Sequence, residues 1–440
     1  MCKGFILGLV VCVVAVGQQT DAMRDVLERL AKLEEQNRAL TNEVRELRER
    51  LGPEQPTAAS APLVERVEVA EQRITELDQT RVGSDNRLPI SLTGMLLFNA
   101  YLNGQSSAGA AYPVVLPATG RTAGGGATFR QSVIGLRVDG PTVLGGAKVK
   151  GSVFMDFFGG GTGLNQTMRL RVATLDVAWK NTTVGFAFDK PLVAPREPDS
   201  LAQVGISPLS ATGNLWLWQP QVRVEHRRSW QDRVGVRAQA GLYQTAEDRT
   251  GVASVYSDSL AASRPGYEGR FEIWAKRGNR RIEIAPGFHA SSTRVVGQSA
   301  ASRIFTMDWL VRPFARVDFT GAFFSGQNTA VIGGIRQGVS IFASSTGVRA
   351  TPVHSRGGWA QLKIRATQRT TFHFFSGQQD DRNRDLLREG VSKNQAYGAN
   401  VMYRWGSNLM TSFEASQVRT SYFNNTRINP HYDLAIAYLF

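Results

Sequence analysis

The stretch Tyr432-Asp-Leu-Ala-Ile-Ala-Tyr-Leu-Phe440 stands at the C-terminal end of the sequence, and its large apolar residues recur at every second position. A period of two is the period at which side chains return to the same face of a β-strand. The same alternation occurs in Arg233–Tyr243, where valine, alanine and leucine alternate with arginine, glutamine and glycine. It replaces the helical period from Leu88 onward, so this C-terminal region is predicted to be all-β.

Short and long connections take turns between these strands. Tight links occur at 180–182, 277–279, 366–368 and 405–407, and long polar links at 103–128, 191–214, 245–267, 325–356 and 379–394. A soluble β-sandwich also alternates, but short turns at one end and long loops at the other are typical of a bacterial outer-membrane barrel. We therefore predict an all-β transmembrane barrel of 16 antiparallel strands over residues 84–440, wide enough for an aqueous channel.

Two further features favour a membrane barrel. Aromatic residues near strand ends suggest interfacial girdles, at Trp179, Trp216, Trp218, Trp230, Trp359, Tyr403 and Trp405. The terminal alternation that ends in Phe resembles the signal by which the outer-membrane assembly machinery recognises its barrel substrates. Tyr438 and Phe440 are therefore predicted to be part of an assembly signal. The assembly machinery and outer-membrane lipid are predicted partners.

Residues 1–17 have the features of a secretory signal peptide. Lys3 precedes the apolar run Phe5–Val16, which is shorter than the roughly 20 residues that span a bilayer, and Ala15-Val16-Gly17 fits a cleavage site. The two cysteines, Cys2 and Cys12, both lie in this segment, so the exported chain is predicted to have no disulfide and no cysteine-based metal site. The predicted localisation is the bacterial outer membrane.

Within residues 18–83, a heptad pattern runs from Met23 to Leu51 with apolar residues at nearly all a and d positions, and the same spacing resumes from Leu63. This pattern predicts an N-terminal α-helical coiled coil in the periplasm, with a proline-rich hinge at 52–62. Asn37 is a lone polar a residue, a type that sets the register of a coiled coil. The predicted coiled-coil core is Leu30, Leu33, Asn37, Leu40, Val44 and Leu47.

The basic character of the chain belongs to the predicted barrel. The formal charge is +14, but residues 21–81 carry 10 basic and 14 acidic residues, whereas residues 82–440 carry 40 and 23. The basic residues alternate with apolar ones and form no continuous patch, which argues against nucleic-acid binding. The five histidines have no ligand spacing, and no phosphate loop or nucleophile elbow occurs. The sequence therefore predicts no enzyme, no cofactor and no metal.

Four motifs resemble the trimeric porins of the DcaP-like type. They are FRQSVIGLR at 129–137, VFMDFFG at 153–159, RLR at 169–171 and QPQVR at 219–223. The resemblance runs in order from Thr93 to Arg227 and is weaker afterwards; Phe186–Asp189 departs from a glutamine-threonine-tryptophan stretch common in the family. The resemblance implies a homotrimer of 16-stranded barrels with a periplasmic coiled coil. It also implies a preference for anionic solutes, including small dicarboxylates.

Basic side chains are predicted to line the lumen. Rings of Arg and Lys favour anions in a pore, and a lipid-facing Arg costs roughly 2–4 kcal/mol at the bilayer midplane. Acidic residues on the same strands would neutralise part of this set. The long link at 191–214 follows the fifth strand, where the third outer loop of general porins folds inward; a solvated outer loop is the alternative. The predicted pore-lining and constriction residues are Arg137, Lys150, Arg169, Arg171, Arg196, Arg223, Arg237 and Arg316.

Two functional hypotheses remain open at this point. The first is a porin that lets small, preferably anionic solutes diffuse through a water-filled channel. The second is a structural protein that tethers the outer membrane to the cell wall through the coiled coil. A third class, an outer-membrane enzyme such as a lipase, would need a catalytic constellation that the sequence does not contain.

Overall fold

The computed structural model describes residues 89–107, 111–120, 122–160, 166–245, 265–345 and 347–440. The predicted signal peptide at 1–17 and the predicted coiled coil at 18–83, with its core positions, lie outside the described residues. The strands are β1 Ile90–Asn103, β2 Gly124–Thr128, β3 Val133–Val143, β4 Ala147–Gly159, β5 Thr167–Ala178, β6 Thr182–Asp189, β7 Gln219–Trp230, β8 Val234–Tyr243, β9 Gly266–Arg277, β10 Arg280–Val295, β11 Gln298–Phe314, β12 Val317–Gln327, β13 Val339–Ser344, β14 Gly347–Pro352, β15 His354–Arg365, β16 Thr370–Asp381, β17 Val391–Arg404, β18 Leu409–Tyr422 and β19 Thr426–Leu439. Short 3-10 helices occur at Leu144–Gly146, Thr329–Ile332 and Asn383–Asp385. Among the described residues, no helix is long and apolar enough to cross a bilayer.

Sixteen strand positions close into one antiparallel barrel, as predicted. β2 and β3 share one position, since both pair with β1: β2 along Asn99–Asn103 and β3 along Ile90–Met95. The remaining barrel strands pair with their neighbours in chain order. β13 and β14 form a separate hairpin within the connection between β12 and β15.

The barrel closes where β1 pairs with β19. The ladder runs from Met95 opposite Leu439 to Asn103 opposite His431. Beyond it, the amide of Gly94 donates to the carbonyl of Phe440 at 2.8 Å, and the amide of Phe440 donates back to Gly94 at 3.1 Å. Closure leaves no open sheet edge, which lipid would not tolerate because unpaired backbone groups there cost several kcal/mol each.

The barrel is apolar outside and polar inside. In β19 the outward residues Tyr432, Leu434 and Ile436 are exposed, whereas the inward residues His431 and Asp433 are buried. This order is the reverse of a soluble β-sandwich, whose apolar residues face the core. It is the pattern of a barrel whose outer surface faces lipid.

The connections follow the predicted alternation of short turns and long loops with two exceptions. At the long-loop end, β10 and β11 are joined by Val296 and Gly297 alone, and both have positive φ angles of 52° and 74°. A two-residue hairpin with both residues in this region matches the twist of the flanking strands. β18 and β19 are joined by residues 423–425.

Gly94 supplies a test of the closure seam. A Cβ at Gly94 would lie 2.4 Å from the carbonyl oxygen of Val133 and 2.7 Å from the ring of Phe440, whereas at Gly151 the nearest heavy atom would be 3.6 Å away. We expect Gly94→Ala to lower the free energy of unfolding by about 1–3 kcal/mol, as overpacking does, with Gly151→Ala as the matched outward-facing control. The measurement is the urea midpoint followed by tryptophan fluorescence; equal midpoints for the two variants would contradict the prediction.

Candidate functional site

The connection between β6 and β7, residues 190–218, lies inside the barrel; we call it the inner loop. Its bonds reach strands on different sides of the wall. The amide of Leu192 donates to the Tyr243 hydroxyl of β8 at 2.7 Å. Asn400 of β17 donates to the carbonyl of Asp199 at 2.9 Å, and Asn99 of β1 donates to that of Leu201 at 2.9 Å. A loop held by strands so far apart in the ring must cross the lumen.

Arg196 anchors the first half of the inner loop in a group of wall carboxylates. Its Nε donates to Asp308 at 2.7 Å, one terminal nitrogen bonds Glu283, and the same nitrogen lies 3.7 Å from Glu272. Burial lowers the pKa of Arg196, but Asp308 and Glu283 raise it by more, so the pKa lies above its ordinary value. The buried Arg270 bridges the same group, with Asp308 at 2.7 Å and Glu272 at 2.8 Å. Such charges are tolerated away from water only when each has partners.

Arg169 and Arg171 hold the middle of the loop from the opposite wall. Both bind the fully buried Asp156, at 2.8 and 2.9 Å. Arg169 also donates to the carbonyl of Gly205 at 2.6 Å, and Arg171 donates to that of Val204 at 2.7 Å. A shift in the β4–β5 register leaves Arg171 as an extra, bulged residue, which lets two arginines so close in sequence reach one carboxylate.

A polar section of wall holds the middle of the loop. The Ser200 hydroxyl donates to the buried Glu414 at 2.5 Å. Gln131, in the break between β2 and β3, accepts hydrogen bonds from the amides of Val204 and Gly205, each at 2.7 Å. The hydroxyl and backbone groups of the loop thus give hydrogen-bond partners to two buried residues of the wall, Glu414 and Gln131.

Parts of two further connections also lie inside the barrel, and sequence reasoning missed them. In the β1–β2 connection, Leu116 packs with Leu209 of the inner loop and with the wall residue Trp359. In the β12–β15 connection, Val331 and Ile332 pack with inner-loop residues in a second cluster. Apolar residues within otherwise polar loops, as in Val114-Val-Leu116 and Thr329-Ala-Val-Ile332, were the signal that could have found them.

The prediction of an aromatic girdle is wrong for three of its tryptophans. Trp359 faces the interior and is only 3 % exposed. Trp218 lies in the inner loop, with the guanidinium carbons of Arg169 and Arg171 at 5.0 and 4.9 Å from its ring. Trp216 precedes it in the same loop. These three tryptophans are therefore not interfacial, because the loops inside the barrel supply an apolar surface that the alternation of the strands does not reveal.

The remaining predicted lining residues differ in their surroundings. Arg223 is paired with Asp189 at 3.0 Å, and Arg237 with Glu272 at 2.5 Å. Arg316 is not on an inward strand face as expected, because the chain turns at 315–316 between β11 and β12.

Arg137 and Lys150 are the exposed members of the predicted set on the inward faces of β3 and β4. Neither lies within 4 Å of a described carboxylate, although Lys150 stands between Asp139 and Asp176 in the strand register. The Arg137 guanidinium lies 5.6 Å from the ring of Phe154. The other five predicted cations that lie on the wall or the inner loop are paired with carboxylates: Arg169, Arg171, Arg196, Arg223 and Arg237.

A cavity of about 300 Å³ lies between the inner loop and the wall. Arg171 and Trp218 line one side, Met402 and Met410 another, and Glu197 and Asp199 of the loop face it. Burial raises the pKa of Glu197, but Lys190 at 2.6 Å lowers it by more, so its pKa is below the ordinary value and the carboxylate stays charged at neutral pH. Among the described residues, no group of three or more His, Cys, Asp or Glu side chains is arranged to hold a metal ion.

Comparison with known proteins rests on structure, since no family model and no curated protein matches the sequence. The outer-membrane channel DcaP of Acinetobacter baumannii superposes with a TM-score of 0.66 and 14 % identity, over 81 % of this chain and 99 % of that one. The chain has the fold of DcaP. This agrees with the resemblance carried by the motifs between 129 and 223.

Two other solved structures show weaker likeness. They are an anion-selective porin from Comamonas acidovorans, at a TM-score of 0.48 and 13 % identity over 80 % of this chain and 99 % of that one, and OmpT of Vibrio cholerae, at 0.48 and 10 % over 80 % and 97 %.

Arg196 supplies a test of how the inner loop is held. We expect Arg196→Gln to remove the charged donor that the loop gives to Asp308 and Glu283, although Arg270 still pairs with Asp308 and Arg281 with Glu283. The loss of these charge-assisted hydrogen bonds costs about 1.5–3 kcal/mol locally. Hydrogen exchange of peptides within 190–205 should rise strongly while that of the barrel strands changes little. Lys190→Gln is the control, because its pair with Glu197 is more exposed and worth less. Equal exchange in the two variants would refute the anchoring role.

Proposed function

We propose that the chain is an outer-membrane porin through which small solutes diffuse passively, with a preference for anions. The observation that carries the proposal is the polar-lined, closed barrel with a long loop folded across its lumen. A barrel that served only as an anchor would not need a charged interior, whose burial is costly unless every group finds a partner. The fold shared with the DcaP channel supports the same function.

The preference for anions rests on a surplus of cations over carboxylates near the short-turn end, where Asp139 and Asp176 stand on either side of Lys150. Arg137 and Lys150, with Lys148 on the same face of β4, are exposed on the inward side near the short-turn end. A small surplus of charge between low-dielectric walls attracts counter-ions strongly. Arg169, Arg171 and Arg196, in contrast, hold the inner loop in place. These three arginines therefore determine the shape of the proposed constriction more than its charge.

The finer points follow from the resemblance and remain part of this proposal. They are a homotrimeric assembly, a periplasmic coiled coil, recognition by the barrel assembly machinery, and small dicarboxylates among the solutes.

The reversal potential across a planar bilayer under a salt gradient tests the selectivity. The wild-type chain, refolded in detergent, should be anion-selective, and Arg137→Gln with Lys150→Gln should move the reversal potential toward zero at nearly unchanged conductance. The control carries Arg228→Gln, which is exposed on the outward side of β7, with Lys180→Gln in the β5–β6 turn. Cation selectivity of the wild type, or equal shifts in the two double variants, would refute the assignment of the cations.

Deletion of residues 18–83 separates the porin from the tether. A porin should keep its single-channel conductance without this segment, because the pathway lies within the barrel. A tether should lose its attachment of the outer membrane to the cell wall, seen as membrane blebbing in cells. Absence of conductance in the intact, folded protein would count against the porin whatever the deletion does.

A further inference from the structure

The outer surface of the barrel has a cationic area at the long-loop end of β15–β18. Arg356, Lys393 and Arg419 all face outward there, each within four residues of the end of its strand. Asp380 is the acidic residue among them, 3.5 Å from Arg356. Three cations to one carboxylate leave a net positive charge on a surface that elsewhere faces lipid.

This cationic area forms one end of a groove with a volume of about 820 Å³. Its floor is low because Gly358, Ala360 and Ser376 present little or no side chain outward on β15 and β16. Phe323 and Tyr397 line its two sides, and glutamines complete its polar end. The groove thus offers hydrogen-bond donors as well as charge.

A second, apolar hollow of about 520 Å³ continues the groove toward the middle of the barrel wall. The two share Ala360, Ser376 and Tyr397. The hollow is bounded by Phe319, Leu362 and Phe374, and its floor is kept low by Ala399 and Ala415. Phe374 lies six residues from Asp380 along β16, about 20 Å at the strand rise, which is comparable to the ~15 Å depth of one hydrocarbon leaflet.

We propose that this face binds a phosphorylated membrane lipid, with its phosphate at Arg356, Lys393 and Arg419 and an acyl chain in the apolar hollow. The order of cations at the strand ends and apolar residues deeper in the wall matches the order of headgroup and chain in one leaflet. Outward cations near the interface cost only about 0–1 kcal/mol and attract anionic headgroups. A second copy of the chain would instead need a complementary acidic surface for the surplus charge.

Native mass spectrometry of the full chain in detergent tests the proposal, with phosphatidylglycerol and phosphatidylcholine as probes at equal concentration. The wild type should retain phosphatidylglycerol preferentially. Each cation that is lost should lower the affinity for phosphatidylglycerol roughly fivefold, so Arg356→Gln, Lys393→Gln and Arg419→Gln together should abolish the preference. The matched control is Arg294→Gln with Arg303→Gln, two outward arginines at the same end of β10 and β11. It should keep the preference.

A second variant tests the hollow without changing the charge. Ala399→Phe should reduce retention of phosphatidylglycerol while the cations remain, because the ring would fill the space of the acyl chain. Equal retention of the two lipids by the wild type would overturn the proposal, and so would full displacement of the lipid by inorganic phosphate. A lower oligomeric state in the glutamine variants would do so too, because it would show that a second copy covers this face.

Discussion

Closure of the sheet is the constraint on which the rest of the molecule depends. In hydrocarbon, each backbone N–H and C=O must find a partner within the protein, and a sheet can meet this demand only as a ring. The ladder between β1 and β19, continued by the two bonds between Gly94 and Phe440, completes that ring. Once the ring is closed, the alternation along each strand sorts side chains into a lipid-facing and an interior set. Charged side chains whose exposure to lipid would be too costly therefore belong to the interior set.

The inner loop solves the problem that closure creates. Carboxylates such as Asp156, Asp308 and Glu414 are buried on the wall and need donors. The loop and the wall arginines supply them, with Arg196 on one side and the Arg169–Arg171 pair on the other. The loop is therefore held by ion pairs and hydrogen bonds in its first half and at its middle, and by apolar packing at Leu209 and Leu215. Loss of one anchor would remove a charge-assisted bond between the loop and a buried carboxylate, which is costlier than the loss of an exposed pair.

This arrangement divides the basic residues into two functional kinds. Most of the arginines that were expected to attract anions instead form ion pairs with carboxylates of the barrel wall, so their charge is neutralised. Under the porin proposal, the smaller group near the short-turn end sets the sign of the field, while the ion-paired group sets the width of the passage. Net charge alone could not have separated the two kinds, since an arginine contributes equally to it whether or not a carboxylate lies 3 Å away.

The barrel and its strand number could be read from the sequence, because a period of two and the spacing of turns are local properties of the chain. The inward position of Arg223 and Arg237 followed from the same local period, whereas the bulge at Arg171 interrupts that period on β5. The ion-pair partners did not follow from it, because Arg196 and Asp308 are far apart in the chain and meet only when the ring brings them together. The period of two also did not predict three other features: the inward folding of two more connections, the interior position of Trp359 and the turn at Arg316. Which face of a strand a residue occupies is determined locally, but what it meets across a closed lumen depends on contacts between distant segments, and only the tertiary structure decides those.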